Sequence, residues 1–191
     1  MPLIWASSLL GNPLPERVTG SNLISSLTAA AAARGRSIFL LGGSPGAAQK
    51  AAVVLSARHP NLRIAGVSSQ PLESSADRSE WKSIADALTA AKPDIVYVAL
   101  GCPKQEELIE ALRHTLPAAW WLGVGIAFSF VAGSIPRAPL WMQRIGLEWF
   151  HRLLKEPRRL ARRYLIDDLP FALTLFSSVI RERFFAQRNT R

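Results

Sequence analysis

The 191-residue chain has a single cysteine, Cys102, which excludes an internal disulfide and suits a reducing compartment. Its three histidines, His59, His114 and His151, match no metal-site spacing, and there is no D-x-D pair. A bound metal ion is therefore not expected. No cleavable leader is apparent, and the longest largely apolar run near the C-terminus, residues 169–180, is 12 residues. That is short of the roughly 20 a helix needs to span a bilayer. Acidic residues are scarce, 14 against 23 lysines and arginines, for a formal net charge of +9. The imbalance is local: residues 137–191 hold 12 of the basic residues and 5 of the acidic ones, so their +7 leaves +2 for the first 136. A basic segment of this kind seeks phosphate, on nucleic acid, lipid headgroups or a charged substrate.

What is present is a hydrophobic content of 49%, enough for a packed core. From residue 21 onward helix-like and strand-like segments alternate. Ser21 or Asn22 is placed to cap a helix running through the alanine-rich stretch to Arg34, which Gly35 ends. SIFLL (37–41) is a short apolar run, followed by GGSPG and a second alanine-rich helix over 47–58. The unit repeats as LRIAGV (62–67), a polar loop, a helix over 78–91, DIVYVAL (94–100), the loop GCPK, a helix over 105–114 and a fourth apolar run, AAWWLGVG (118–125). Apolar strands separated by helices predict a parallel sheet with helices on both faces, an α/β Rossmann-like domain over residues 1–136. After Gly133 the SIPRAP connection leads to helices over 140–145, 147–155, 158–164 and 169–185, so residues 137–191 read as a basic helical appendage.

In such sheets ligands dock beyond the carboxyl ends of the strands, here residues 42–46, 101–106 and 123–134. LLGGSPGAAQKAA sets Gly42 and Gly43 between a strand and a helix N-terminus, where free amides can hold a phosphate or the chain simply turns tightly. It is not G-x-G-x-x-G, and no acid ends the next strand to take a ribose, which argues against a dinucleotide enzyme. In ALGCPKQEELIE, Gly101, Pro103, Lys104, Gln105 and Glu106 leave a strand expected at the sheet centre; the polar residues either face a ligand or merely open a helix. Cys102 beside them has no histidine partner that would make it a nucleophile. Gly123 and Gly125 lie in the last of these loops. Arg17, in NPLPERVTGSNL, precedes a helix start and suits a diphosphate clamp as well as a plain surface charge.

In order, PLPERVTGSNL, IFLLGGSPGAAQKAA, PDIVYVALGCPKQE, GVGIAFSFVAGSIPRAP and GLEWFHRLLKEPRR resemble motifs of the WecG/TagA/CpsF family of bacterial glycosyltransferases over nearly the whole chain. The resemblance implies an inverting hexosyltransferase that moves a sugar from a UDP-sugar to a polyprenyl-diphosphate-linked sugar. The work would be done at the cytoplasmic face of the plasma membrane, in surface or exopolysaccharide assembly. It implies neither metal nor cofactor, so cationic side chains and helix N-termini would stabilise the departing UDP. Gln105 matches the active-site glutamine of the family's P-K-Q-E motif and Arg17 the arginine of P-E-R-V; both are implied to be catalytic. Gly42, Gly43, Gly101, Pro103, Lys104, Glu106, Gly123 and Gly125 would line the substrate site. Arg152, Arg159 and Arg162 match appendage arginines thought to reach the acceptor's diphosphate.

Three departures accompany the resemblance. Ser129 stands where the family usually has the aspartate of G-A-F-D-F, and Asn22 where it usually has that of G-S-D-L. The family's proposed general base, an aspartate in a D-G pair, would fall two residues before Met1, and Glu106 and Glu148, the conceivable substitutes, fit structural roles better. The expectation is therefore little or no transfer by the chain as it stands, and the alternative function is a nucleotide- or lipid-diphosphate-binding domain without catalysis.

The stretch 146–165 bears on membrane contact. Arg152, Arg159 and Arg162 fall on one face of a near-continuous helical path, with Trp149, Phe150, Leu153, Leu154 and Leu160 as apolar surface beside them. For Trp149 and Leu153, packing against the core is expected rather than lipid contact. Residues 170–185 add a candidate interfacial helix. Arginines set among tryptophan, leucine and phenylalanine suit an anionic membrane surface, and no recognised nucleic-acid module is present, so nucleic acid is not expected as a partner. Oligomeric state stays open, a homo-oligomer included.

Overall fold

The computed structural model describes residues 2–16, 18–69, 78–155, 157–162, 166 and 168–188. Packing divides the chain into two units: Val18–Pro136, and Met1–Arg17 together with Arg137–Arg191. An opening helix that the sequence pattern did not suggest, α1 (Pro2–Leu9), belongs to the latter.

The first helix of the α/β unit is α2 (Gly20–Ala33). Its cap is Thr19, not Ser21 or Asn22. Thr19 keeps an extended backbone (φ −115°, ψ 147°) and its hydroxyl accepts from the N–H of Asn22, whereas Ser21 and Asn22 are already inside the helix. Then come β1 (Ser37–Gly42), α3 (Ala47–Arg58), β2 (Arg63–Ser68), α4 (Arg78–Ala91), β3 (Ile95–Ala99), α5 (Lys104–Leu112), β4 (Trp120–Gly123) and α6 (Ala127–Val131). The helix expected to reach residue 114 ends at Leu112 and tightens into a 3-10 turn, Arg113–Thr115. The short α6 falls in what reads from sequence as a loop.

All strands are parallel, in the order β2-β1-β3-β4. The chain direction across the sheet reverses between β1 and β3, the place where open α/β sheets leave a crevice. Successive strand residues face opposite ways, which explains two separate apolar layers. Ile38, Leu40 and Tyr97 pack with Ile24 of α2, Ala48 and Leu55 of α3 and Phe128 of α6. On the other face Phe39, Leu41, Val96 and Val98 meet Ile84 and Leu88 of α4 and Leu108 and Leu112 of α5. A double-sided core requires strands without charge, as SIFLLG and IVYVA are: β1 and β3 are buried at every position, while the edge strands β2 and β4 are largely half-buried. The Tyr97 hydroxyl, enclosed in the first layer, meets the Thr28 hydroxyl at 3.1 Å, and burial pushes its pKa up.

The other unit is helical. It holds α1, α7 (Leu140–Ile145), α8 (Glu148–Lys155), α9 (Pro157–Arg162) and α10 (Leu169–Arg188). Helix α9 starts at Pro157 rather than after it, because the first turn needs no N–H from that position; residues 163–165 lie outside those described. Helix α1 packs against α10, and the Arg183 guanidinium donates to the Leu9 carbonyl at 3.1 Å. Among the described residues no helix is long and apolar enough to cross a membrane.

Candidate functional site

The carboxyl ends of β1, β3 and β4 carry three glycine turns on neighbouring strands. After β1, Gly42 and Gly43 take φ of 87° and 90°, a left-handed conformation that side chains rarely adopt, and the Gly43 N–H donates to Ala99 O at the end of β3 (2.8 Å). Behind this turn stands the buried ring of Phe128 on α6; a Cβ on Gly43 would lie 3.1 Å from it. The turn feeds α3, whose cap, Gly46, supplies no side-chain oxygen to its first-turn amides.

After β3, Gly101, exposed Cys102 and Pro103 lead into α5, with a cis Cys102–Pro103 peptide. The Gln105 N–H donates to Gly101 O (3.0 Å) and the Glu106 N–H to Pro103 O (3.0 Å). Lys104, Gln105 and Glu106 thus form the first turn of a nine-residue helix at the central strand's end.

The β4 turn is joined to this helix by a side chain. Gln105 Oε1 accepts from the Gly125 N–H at 3.1 Å, and Gln105 Nε2 donates to Glu106 Oε1 at 2.8 Å. The glutamine lies so close to β4 that a Cβ on Gly123 would sit 2.8 Å from Nε2 and 2.9 Å from Cδ. The start of α2 presses on the same turn, with a Cβ on Gly20 falling 3.1 Å from Val124 Cα. Val124 N–H, in turn, donates to Val98 O (2.8 Å). Gln105, Glu106, Gly123 and Gly125, all named from sequence, are therefore one contiguous cluster, and Gly42, Gly43 and Gly101 end the two adjoining strands.

Other expected residues fall elsewhere. Arg17 lies outside the described residues. Asn22 is exposed in the first turn of α2, whereas Ser129 is 3% exposed inside α6, its carbonyl accepting from the N–H groups of Ser134 and Ile135. His59, His114 and His151 end α3, sit in the 3-10 turn and lie within α8; among the described residues no group of three potential ligands could hold a metal.

In the helical unit, Arg152 lies on α8 and Arg159 and Arg162 on α9; Arg162 is exposed, and the side chains of the other two are outside the described residues. Glu148 is held near Arg137, at 3.5 Å, with only 12% of its side chain exposed. Two expectations about the apolar residues change. Leu160, expected on the surface, is 2% exposed and anchors α9, while Trp149, expected to pack on the core, is 44% exposed and meets the Phe150 ring edge-on. Phe150 and Leu154 are exposed as expected.

A cavity of about 430 Å³ lies at the opposite, amino ends of the strands, walled by Leu27, Ile95 and Trp120 and rimmed by Arg34, Arg36 and Asp94. The Ser37 N–H and hydroxyl and the Arg36 guanidinium hold the Asp94 carboxyl down at about 2. It lies apart from the glycine turns.

Sequence reasoning missed α6, the wall behind Gly43, because five residues are too few to show a helical period. It also missed the link between Gln105 and Gly125; the G-V-G spacing was visible, but which side chain it admits depends on the strand order.

Residues 1–187 match the Glycosyl transferase WecG/TagA/CpsF family. The chain is 34% identical over 183 residues to an N-acetylglucosaminyldiphosphoundecaprenol N-acetyl-beta-D-mannosaminyltransferase of Bacillus subtilis (strain 168), covering 96% of this chain and 68% of that protein. It is 33% identical over 160 residues to the protein of the same description from Bacillus spizizenii, covering 84% of this chain and 60% of that one. The chain thus spans between three fifths and about two thirds of the length of these relatives.

Proposed function

The chain belongs to the WecG/TagA/CpsF family of glycosyl transferases, and from that membership we propose that it takes part in transferring a hexosyl group from a UDP-sugar to a polyprenyl-diphosphate-linked sugar. The observation that carries this reading is the convergence of three of the family-matching motifs on one sheet end. The turns after β1, β3 and β4 lie on adjacent strands, at the reversal where α/β sheets bind nucleotides.

In this reading the first-turn amides of α3 face the donor's diphosphate, with Lys104 at the start of α5 nearby as a cation. Gly42, Gly43, Gly101, Pro103, Glu106, Gly123 and Gly125 line the donor site, and turnover depends on Gln105 and Arg17. Inverting transfer breaks the bond from the anomeric carbon to the UDP oxygen as the acceptor hydroxyl attacks from the opposite face. The hydroxyl proton passes to a base and the electron pair leaves on UDP. Charge accumulates on the departing diphosphate, and fixed amides and cations stabilise it without reorganising.

The helical unit contacts the acceptor's diphosphate through Arg152, Arg159 and Arg162. The exposed Trp149, Phe150 and Leu154 contribute apolar contact with an anionic membrane, on the cytoplasmic side. The two relatives' names, which specify a diphosphoundecaprenol-linked acceptor, support an acceptor of this class.

The test is to titrate the purified chain with UDP and UDP-sugars by calorimetry, and then to follow UDP release with a polyprenyl-diphosphate-linked N-acetylglucosamine acceptor in anionic vesicles. Saturable UDP binding and acceptor-dependent release are expected. Binding without release would reduce the chain to a nucleotide-binding domain, and absence of binding would remove the donor assignment.

A further inference from the structure

Gln105 resembles the residue on which the family's chemistry turns, yet both polar ends of its side chain are engaged within the protein. The carbonyl accepts from the Gly125 N–H and the amide group donates to the Glu106 carboxylate. We propose that Gln105 is a positioning residue. It locks the β4–α6 turn to the first turn of α5 and orients Glu106, whose carboxylate is the group presented to the hydroxyl-bearing part of the ligand. The inference rests on the donor site proposed above.

Three observations converge. First, the clamp joins the loops that follow two paired strands, across 20 residues of sequence, so it ties together elements whose relative position shapes the donor site. Second, Gly123 is glycine for a reason other than backbone conformation. Its φ is not positive, but a Cβ there would fall 2.8 Å from Gln105 Nε2. The strand end is hollowed to admit one side chain. Third, Glu106 is exposed and uses one oxygen to accept from Gln105, leaving Oε2 without a partner among the described residues. A carboxylate held this way accepts further hydrogen bonds and cannot donate, which suits it to ring hydroxyls on a ribose or a hexose rather than to phosphate oxygens.

The experiment separates the clamp from its consequence. Exchange of the Gly125 amide, read by NMR on the whole chain, is expected to rise about tenfold or more in Gln105→Ala and equally in Gly123→Ala, whose methyl displaces the glutamine without straining the backbone. The double variant should add little, since both remove the same contact. The Gln105 side-chain NH₂ resonance should shift in Glu106→Gln. Affinity for UDP-sugar should fall about tenfold in Gln105→Ala and in Glu106→Gln.

Gln105→Glu should keep Gly125 protected, because a carboxylate still accepts its N–H, while losing affinity through the like charge beside Glu106. The exchanged pair Gln105→Glu/Glu106→Gln re-forms an amide–carboxylate contact with the charge moved inward, so protection should persist and affinity should not return. Comparing UDP with 2′-deoxy-UDP and with UDP-sugars assigns the hydroxyls: a Glu106-dependent loss confined to the ribose form points to the nucleotide, and one seen only as reduced preference for UDP-sugar over UDP points to the hexose. Unchanged Gly125 exchange in Gln105→Ala refutes the clamp. Wild-type affinity in Gln105→Glu, or recovered affinity in the exchanged pair, refutes the orientation of Glu106. If the wild-type chain takes up no UDP, the donor reading falls and with it this role toward the donor, while the Gly125 and Gln105 resonances still decide whether the clamp exists.

Discussion

Replacing Asp94 by Asn should weaken the fold in a way that depends on pH. The Asp94 carboxylate accepts from the Ser37 N–H (2.7 Å), the Ser37 hydroxyl (2.8 Å) and the Arg36 guanidinium (2.9 Å). Its backbone carbonyl accepts from the Trp120 N–H at 2.9 Å, so the starts of β1, β3 and β4 meet at this residue. These donors, the Ser37 N–H foremost, lower its pKa from 3.8 to about 2. At full weight such a difference corresponds to about 2 kcal/mol. With 32% of the side chain exposed, solvent screening reduces this to about 1 to 2 kcal/mol. Because the folded value lies below the unfolded one, the stabilisation is complete above about pH 4 and is lost as pH falls through about 2. Scanning calorimetry at pH 7 should show Asp94→Asn melting about 2 to 8 °C below wild type. Asp94→Ala, which also leaves the Ser37 N–H without its acceptor, should cost about 1 to 3 kcal/mol more. The gap between wild type and Asp94→Asn should close on acidification to pH 2. A gap that is the same at pH 7 and pH 2, or none at pH 7, would refute the assignment.

Tyr97→Phe strands the buried Thr28 hydroxyl and should cost about 1 to 2 kcal/mol in urea unfolding, whereas adding Thr28→Val should recover part of that loss; a double variant less stable than the single would contradict the pairing. Gly42→Ala forces a side chain into φ 87° with its Cβ 2.7 Å from Leu100 Cδ2, so it should destabilise by about 1 to 3 kcal/mol and weaken UDP binding; unaltered melting and affinity would remove the constraint. Replacing Arg152, Arg159 and Arg162 together by Ala should reduce binding to anionic vesicles by about 3 kcal/mol at low salt, and the difference should shrink as salt rises. Sedimentation with vesicles checks this, and identical partition of variant and wild type would exclude these arginines from the membrane contact.

The α/β core was legible because β1 and β3 must be apolar on both faces, and sequence shows that as uninterrupted runs. The helix ends were legible where Gly35, Gly46 and Gly146 punctuate the chain. The cap of α2 was misread: several hydroxyl and amide side chains stand in a row at TGSN, and only the backbone conformation selects Thr19. Leu160 and Trp149 exchanged their expected environments because an amphipathic stretch tells that a helix has two faces without telling which neighbours cover them. Lys104, Gln105 and Glu106 were recognisable as loop-end polar residues, but that Gln105 is spent on Gly125 and Glu106 follows from β3 lying beside β4, a pairing the linear pattern does not encode. Helix α1 went unseen because eight residues without charge carry no polar face.

The packing of α1 against α10 has a consequence for how the chain is built. Residues 2–9 are synthesised before the α/β unit, but their partner at 169–188 appears only after that unit has left the ribosome. Closing so long a loop in a disordered chain is entropically costly, but the cost grows only logarithmically with length, and folding of the intervening unit first shortens the loop that remains flexible. The order of assembly is thereby biased: sheet first, helical unit second. In the interval α1 lacks its contacts with α10, and a nascent chain stalled before residue 169 would leave Ala6, buried in the folded protein, open to chaperones.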